Sequence, residues 1–264
     1  MQTKFSNKSI NLFMKKNFIL FSVAMLLLSA CGGNQQEAST ATSAAPVPDS
    51  TTAAAPEAVP AAATADTIAS PAGLTKLGEA TGDLDKDGQA ETVIVYDTQR
   101  SSKDDMGTER ELHIFKSKDG KWELWHKAIG PVMPSESGGV MGDPFGEVRI
   151  ENGCIVVFHA GGSRMKWNYT HRYRFQDGDW KLIGATSLDG APCEYWQTYD
   201  YNLSTGNINY EKETEDCAES EENPKMSKTK KTFSQKLKAL PSMDGFEPGG
   251  NEVKAKGMQE EFYY

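Results

Sequence analysis

The sequence predicts an all-β protein: an antiparallel meander of about nine strands that follows a disordered N-terminal tether. Alternation is the first observation. Between residues 167 and 175 the odd positions are aromatic or histidine and the even positions are polar, which is the period of a strand with one buried face. The second is hairpin chemistry, since Asp119-Gly120, Asn152-Gly153 and Asp177-Gly178 can adopt the left-handed dihedrals of tight turns. No helical periodicity competes with these patterns.

Nine segments carry strand patterns, and short links make sequence neighbours into sheet neighbours. Such a meander forms either propeller-blade-like units or a curved sheet or sandwich, and the sequence does not choose between them. The predicted strands are Glu91–Asp97, Arg110–Lys116, Trp122–Lys127, Glu147–Ile150, Ile155–Ala160, Trp167–Phe175, Trp180–Thr186, Tyr195–Tyr201 and Asn207–Glu213.

The N-terminal residues have the form of a secretory signal. Lys15 and Lys16 precede an apolar run from Phe18 to Leu28, which ends in Leu28-Ser29-Ala30-Cys31. The run is too short to cross a hydrocarbon core, which takes about 20 apolar residues. This segment resembles the lipobox of bacterial lipoproteins, in which the cysteine receives a diacylglyceryl group and the signal is removed. Met14 is an alternative start that would give a signal of ordinary length.

This resemblance implies that residues 1–30 are a signal peptide and that Cys31 is lipidated. Residues 31–73 are rich in Ala, Thr, Ser and Pro. They contain too little apolar surface to offset the entropy of ordering, so we expect a disordered linker. The remaining chain is long enough for one domain with an adequate core. We expect a β domain over residues 74–245 and a flexible C-terminal tail over residues 246–264.

Charge excludes one class of partner. The formal charge is −9, and the leader contains four lysines and no acid, so its removal leaves −13. A chain this acidic is unfavourable for nucleic acid. The one basic cluster, Lys225–Lys238, follows the acidic stretch Glu211–Glu222, and we expect it to balance those acids on a solvated face.

The segment from Asp83 to Glu91 has the pattern of a calcium loop. Carboxylates stand at its first, third, fifth and ninth positions, and a glycine at the sixth permits a sharp bend. Four carboxylates this close would repel one another without a cation. The alternative is an acidic turn that binds no metal. The predicted Ca²⁺ ligands are Asp83, Asp85, Asp87, the backbone carbonyl of Gln89, and Glu91.

The context of this loop differs from that of an EF-hand, because Ile94 occupies the twelfth position and an apolar strand follows. The loop resembles the calcium loops of FG-GAP and VCBS-type repeats. The wider order of segments, including Met141–Gly146 and Cys193–Trp196, is similar to VCBS-like envelope lipoproteins of Bacteroidota. The resemblance implies a structural calcium ion and a lipid anchor in the bacterial cell envelope. The expected membrane is the outer membrane, and the sequence does not indicate which leaflet. It transfers no catalytic residue.

The cysteine positions fit an exported protein. Cys193 and Cys217 flank a predicted hairpin with its turn around Ser204-Thr205-Gly206. Positions that sum to about 410 face each other in that hairpin, so we expect these two cysteines to form a disulfide. A metal site is the alternative, but no second pair of ligands has suitable spacing. Cys154 precedes an apolar run, and we expect a buried, unpaired thiol there.

No sequence motif identifies a reaction. Asp143, Glu147 and His159 could converge in space, which one sequence does not show. The leading interpretation is a membrane-anchored, calcium-stabilised, non-catalytic binding or assembly module with a protein or glycan ligand. Trp122 and Trp125 lie three apart on one strand and must point to opposite faces, so some aromatic side chains are free to stack on sugars or anchor a partner unless both faces of the sheet are covered. A sheet covered on both faces is the slightly favoured alternative. The alternative is a surface hydrolase of glycan or peptide that uses loop carboxylates.

Overall fold

The structure, a computed structural model, describes residues 68–218 and 225–264. Cys31, the predicted signal peptide and all but the last residues of the predicted linker lie outside the described residues.

Thirteen β-strands and one short 3-10 helix, Gly139–Met141, form the described chain. Each of the nine predicted strands lies within an observed strand, so the all-β prediction is confirmed. The strands are β1 Thr75–Gly82, β2 Glu91–Ser101, β3 Thr108–Lys118, β4 Lys121–Ile129, β5 Phe145–Glu151, β6 Cys154–Gly162, β7 Lys166–Gln176, β8 Asp179–Ala191, β9 Tyr195–Asn202, β10 Asn207–Asp216, β11 Lys225–Ser234, β12 Glu252–Val253 and β13 Phe262–Tyr263.

The strands form three antiparallel sheets. β1 to β4 make a four-stranded sheet, β5 to β11 make a seven-stranded sheet, and β12 pairs with β13. Within the two larger sheets every hydrogen-bonded neighbour is also a neighbour in sequence, as short links predict. A propeller blade has four strands, so the seven-stranded sheet favours the curved sheet or sandwich over propeller-like units.

Left-handed turns close the hairpins β3–β4, β5–β6 and β7–β8. In Asp119-Gly120, Asn152-Gly153 and Asp177-Gly178 both residues have positive φ, between 52° and 77°. Two positive φ angles give a turn whose twist matches that of paired strands. The three hairpins predicted from these dipeptides are therefore confirmed.

One apolar core joins the two large sheets. Trp125 of β4 packs edge-on against Trp180 of β8, with ring centroids 5.2 Å apart. Trp122, three residues earlier, packs instead on a second cluster that contains Ile94 and Tyr96, so both faces of the four-stranded sheet are covered. The main core includes Val93, Val95, Leu112, Ile114, Ile155, Val157, Tyr173, Leu182, Tyr201 and Ile208.

Strand β1 has no counterpart among the predicted strands. Its residues alternate weakly in burial, and two glycines lie where it meets β5. A Cβ at Gly78 would come within 3.0 Å of Phe145, and one at Gly82 within 2.7 Å of Ile150. The close approach requires small residues, which removes the side-chain alternation that marks a strand in sequence.

Strand β11 was also not predicted, although its lysines were interpreted correctly. β11 forms an edge of the seven-stranded sheet and is almost wholly exposed. Lys228 contacts Glu211 and Glu213 on β10, and Lys230 lies 2.7 Å from Glu211. The expected balance of the basic cluster against the acidic stretch is confirmed for these pairs. Lysines on an edge strand also oppose pairing with another chain.

The C-terminal segment differs from the flexible tail expected over residues 246–264. Phe246, Val253, Phe262 and Tyr264 are each at most 5% exposed and belong to the main core. These apolar residues have irregular spacing, with glycine, proline and lysine between them. No strand or helix period therefore marked the segment as part of the core.

Candidate metal centre

The Asp-rich loop connects β1 to β2 and brings three predicted ligands together. Asp83, Asp85 and Glu91 each supply one carboxylate oxygen, and these oxygens lie within 4.8 Å of one another. The turn contains Lys86 and Gly88 at φ of 65° and 85°. The glycine at the sixth position of the loop thus adopts the left-handed conformation that the sequence pattern predicts.

Backbone amides hold the loop in this shape. Asp83 accepts hydrogen bonds from the amides of Lys86 at 2.6 Å and Gly88 at 3.1 Å. Asp87 accepts one from the amide of Gln89 at 2.8 Å and does not belong to the three-carboxylate cluster. Of the five predicted ligands, the structure groups three, and the roles of Asp87 and of the Gln89 carbonyl stay predictions.

Glu91 is the deepest carboxylate of the cluster. It is 1% exposed, and its Oε2 accepts a 2.7 Å hydrogen bond from the amide of Leu84. Burial raises the pKa of Glu91, because a charged carboxylate loses its hydration there. A cation at the loop would favour the ionised form.

The structure adds one participant from outside the loop. Lys116 of β3 contacts Asp85, and its Nζ lies 3.6 Å from Asp87 and 3.9 Å from Glu91. The same ammonium group lies 4.6 Å from the centre of the Trp125 ring. Its hydrogen bond to Asp85 raises the pKa of Lys116. An ammonium group in this place competes with a metal ion for the same oxygens.

The residues present fit a hard divalent cation. The donor set consists of carboxylate oxygens alone, which is the chemistry that Ca²⁺ and Mg²⁺ prefer. Each carboxylate oxygen has two lone pairs, so the oxygens of Asp83 and Glu91 that accept backbone amides can still face an ion. Calcium takes six to eight oxygens in flexible geometry, so backbone carbonyls or waters would complete the shell around Asp83, Asp85 and Glu91.

The predicted disulfide is confirmed. Cys193 and Cys217 are bonded, with Cα atoms 5.3 Å apart. The bridge joins the turn before β9 to the end of β10, where Glu215 also accepts a 3.0 Å hydrogen bond from the amide of Cys193. Cys154 is free and buried, as expected, and burial raises the pKa of its thiol.

The three candidate catalytic residues have separate partners. Asp143 lies 2.7 Å from the guanidinium of Arg110, and Glu147 is paired with Arg149. His159 is fully buried and accepts a 3.1 Å hydrogen bond from the amide of Met133.

Comparison with known proteins leaves function to be inferred from the chain itself. Neither the protein-family models nor the curated proteins contain a match to this sequence. Among residues 68–218 and 225–264, no helix is both long and apolar enough to cross a membrane.

Proposed function

We propose that this protein is a membrane-anchored lipoprotein of the bacterial cell envelope whose β domain is a calcium-stabilised, non-catalytic binding module. The observation on which the proposal rests is the convergence of Asp83, Asp85 and Glu91 in one loop. Calcium at these oxygens would fix the connection between β1 and β2 and neutralise a buried carboxylate. The ion is assigned a structural role.

Two features support the envelope address. Leu28-Ser29-Ala30-Cys31 has the lipobox pattern, which would anchor the protein through its lipid, in the outer membrane. The Cys193–Cys217 disulfide fits an oxidising compartment, since such bonds are rare in the cytosol. The acidic charge of the processed chain makes nucleic acid an unfavourable partner.

The alternative function, a hydrolase of glycan or peptide, receives less support from its candidate carboxylates. Asp143 is held by Arg110 and Glu147 by Arg149. Each carboxylate that a hydrolase would need as a general acid or base thus already has an arginine as its partner. A binding role requires no free carboxylate.

Calcium titration of the folded region, followed by thermal and urea unfolding, tests the proposal. If calcium binds only the folded state, the free energy of unfolding should rise by about 2.7 kcal/mol at a hundredfold excess over the dissociation constant. Asp85→Asn should abolish most of this increment, because it removes the charge of a proposed ligand. The loop should keep its shape, since the hydrogen-bond partner of Asp85 is Lys116 rather than a loop amide. Asp119→Asn, at an exposed turn, is the charge-matched control and should retain it. An unchanged stability of the wild type in calcium would refute the calcium-stabilised function.

A further inference from the structure

A row of polar and aromatic side chains lies on the inner face of the seven-stranded sheet. The strand register places Trp167 of β7 opposite Asp189 of β8, and Asp189 opposite Gln197 of β9. Lys212 of β10 continues the row beyond Gln197. Side chains two residues apart share a face, so this row lies on the same face as Tyr201, a core residue.

The row lies at the edge of the apolar core, where the side chains of the inner face become partly exposed. The four side chains of the row are only partly buried, whereas the neighbouring row includes Tyr199, whose ring is stacked on Phe262 at 4.3 Å. Two cavities open here. One, of about 290 Å³, is lined by Trp167, Asp189 and Gln197 among others, and one, of about 190 Å³, by Tyr199 and Lys212 among others. The C-terminal segment lines both, with Glu261, Phe262 and Tyr263 at the first and Met258, Gln259 and Glu260 at the second. We call the face of β7 to β10 along this row the groove.

The polar groups of the groove are held in place by one another. Both oxygens of Asp189 lie 3.1 Å from the amide nitrogen of Gln197. The hydroxyl of Tyr195 donates to Asp189 at 3.4 Å, and the ammonium of Lys212 lies 4.2 Å from the centre of the Tyr195 ring. A carboxylate offers about four lone-pair positions, so Asp189 retains the capacity to accept hydrogen bonds from a ligand.

Trp167 is positioned by the strand beside it. Its indole lies over Gly161 of β6, where a Cβ would come within 2.3 Å of the ring. The absence of a side chain at Gly161 thus allows the indole to pack on the backbone of β6 at one end of the groove. An aromatic ring that is ordered before binding loses little conformational freedom on contact with a ligand.

We propose that this groove, formed by Trp167, Asp189, Tyr195, Gln197 and Lys212, binds a glycan. Aromatic rings offer flat apolar surfaces for the C–H faces of sugar rings, and carboxylate, amide and ammonium groups exchange hydrogen bonds with hydroxyls. From Trp167 to Lys212 the row spans three strand spacings, about 14 Å, which suits an oligosaccharide. The inference rests on the proposed binding function and names its ligand class.

A peptide fits the groove less well. Peptides commonly bind β-proteins by adding a strand to a free sheet edge. β7, β8, β9 and β10 are interior strands, each paired on both sides, so their backbone groups are already used. Recognition in the groove must come from side chains, and those present have the stacking and hydrogen-bonding chemistry that sugars require.

Calorimetric titration of the protein with cello-, chito-, malto- and mannohexaose tests the proposal. We expect at least one hexaose to bind and Trp167→Ala to weaken that binding at least tenfold. Asp189→Asn keeps the shape of the side chain while removing its charge, and it should weaken binding similarly. Trp196→Ala is the matched control, because Trp196 adjoins Gln197 in sequence and lies on the opposite face. It should bind within twofold of the wild type.

The possible failures are distinguishable. Absence of binding by all four hexaoses at millimolar concentration, or equal binding by the folded Trp167→Ala and Asp189→Asn variants, would overturn the glycan site. Binding of a peptide that Trp167→Ala abolishes would also overturn it, while leaving the binding module intact. Cleavage of a bound hexaose that requires Trp167 would support the groove and contradict the non-catalytic function. The calcium increment is measured separately and depends on none of these outcomes.

Discussion

The ammonium group of Lys116 lies 3.9 Å from the buried carboxylate of Glu91, on the strand paired with it. Glu91 begins β2 and ends the Asp-rich loop, whereas Lys116 lies near the end of β3. The protein thereby places one of its own cations beside the oxygens that would bind a metal. Calcium binding at this loop must displace the ammonium group or share the carboxylates with it.

We predict that Lys116→Met strengthens calcium binding. Methionine keeps much of the apolar stem over Trp125 but removes a positive charge near the ion. Like charges separated by a few ångströms in a solvated site repel by about 1 to 4 kcal/mol, so we expect at least a tenfold gain in affinity. Calorimetric titration with calcium measures it.

The same substitution should destabilise the calcium-free protein by about 1 kcal/mol, because Glu91 and Asp85 lose their nearest cation. Lys118→Met is the control, since Lys118 is largely exposed and lies 3.9 Å from Glu123, away from the loop. Equal calcium affinities for the wild type and Lys116→Met would show that the ammonium group does not compete with the ion.

Lys116 also shows which part of the candidate metal site can be predicted from the sequence and which part cannot. The loop from Asp83 to Glu91 is contiguous, so its carboxylates and turn glycine are recognisable in sequence order. Lys116 joins them only through the pairing of β2 with β3, and a lysine on a strand has no pattern that marks it as a partner. Antiparallel alignment of the two predicted strands by their ends, Glu91–Asp97 with Arg110–Lys116, would have placed it opposite Glu91.

The same distinction explains the fold. Strands with alternating residues and turns such as Asn152-Gly153 are local signals, and they predicted nine strands within the observed bounds. β1 is held against β5 through Gly78 and Gly82, and the segment 246–264 packs through irregularly spaced apolar residues. These contacts depend on distant parts of the chain, and local periodicity does not encode them. The groove row from Trp167 to Lys212 is likewise assembled by cross-strand register.

Removal of the disulfide should destabilise the domain substantially. Cys193 and Cys217 are 24 residues apart in sequence, and the chain-entropy relation gives about 3.5 kcal/mol for a loop of this length. Urea unfolding of the Cys193→Ser, Cys217→Ser double variant should show a loss of that order. Cys154→Ser, which removes the free thiol and keeps the bridge, is the control. A reductant should lower its free energy of unfolding, and it would leave that free energy unchanged only if the bridge were absent. Recovery of separately alkylated Cys193 and Cys217 from oxidised protein would contradict the bridge.

Replacement of Cys31 by serine should prevent lipidation of the exported chain. The lipobox-like Leu28-Ser29-Ala30-Cys31 implies that the thiol accepts the lipid before the signal is cut. We expect Cys31→Ser to appear in the soluble fraction or as an uncleaved precursor of lower mobility. Cell fractionation and immunoblotting distinguish these outcomes, with Cys154→Ser as the cysteine control. A Cys31→Ser protein that stays in the membrane fraction with wild-type mobility would exclude the lipid anchor.

Two buried histidines should make the domain acid-sensitive. Burial lowers the pKa of His159 to about 4, and burial together with the nearby charges of His159 and Arg172 lowers that of His171 to about 3. Both values are below the ordinary 6.5, so the unfolded chain binds protons that the folded chain does not. Stability is therefore complete above pH 6.5 and declines as the pH falls toward 4, by about 1.4 kcal/mol per pH unit for each histidine.

Substitution of His171 by phenylalanine separates this effect from the titration of carboxylates. Neither ring nitrogen of His171 has a hydrogen-bond partner within the described residues, and the ring packs edge-on against Phe246 at 5.0 Å. Phenylalanine therefore loses no hydrogen bond and leaves no titratable group. Urea unfolding at several pH values between 7 and 4.5 should give a shallower decline for His171→Phe, by about 1.4 kcal/mol per pH unit. Parallel stability curves for the two proteins would mean that His171 takes up its proton without unfolding.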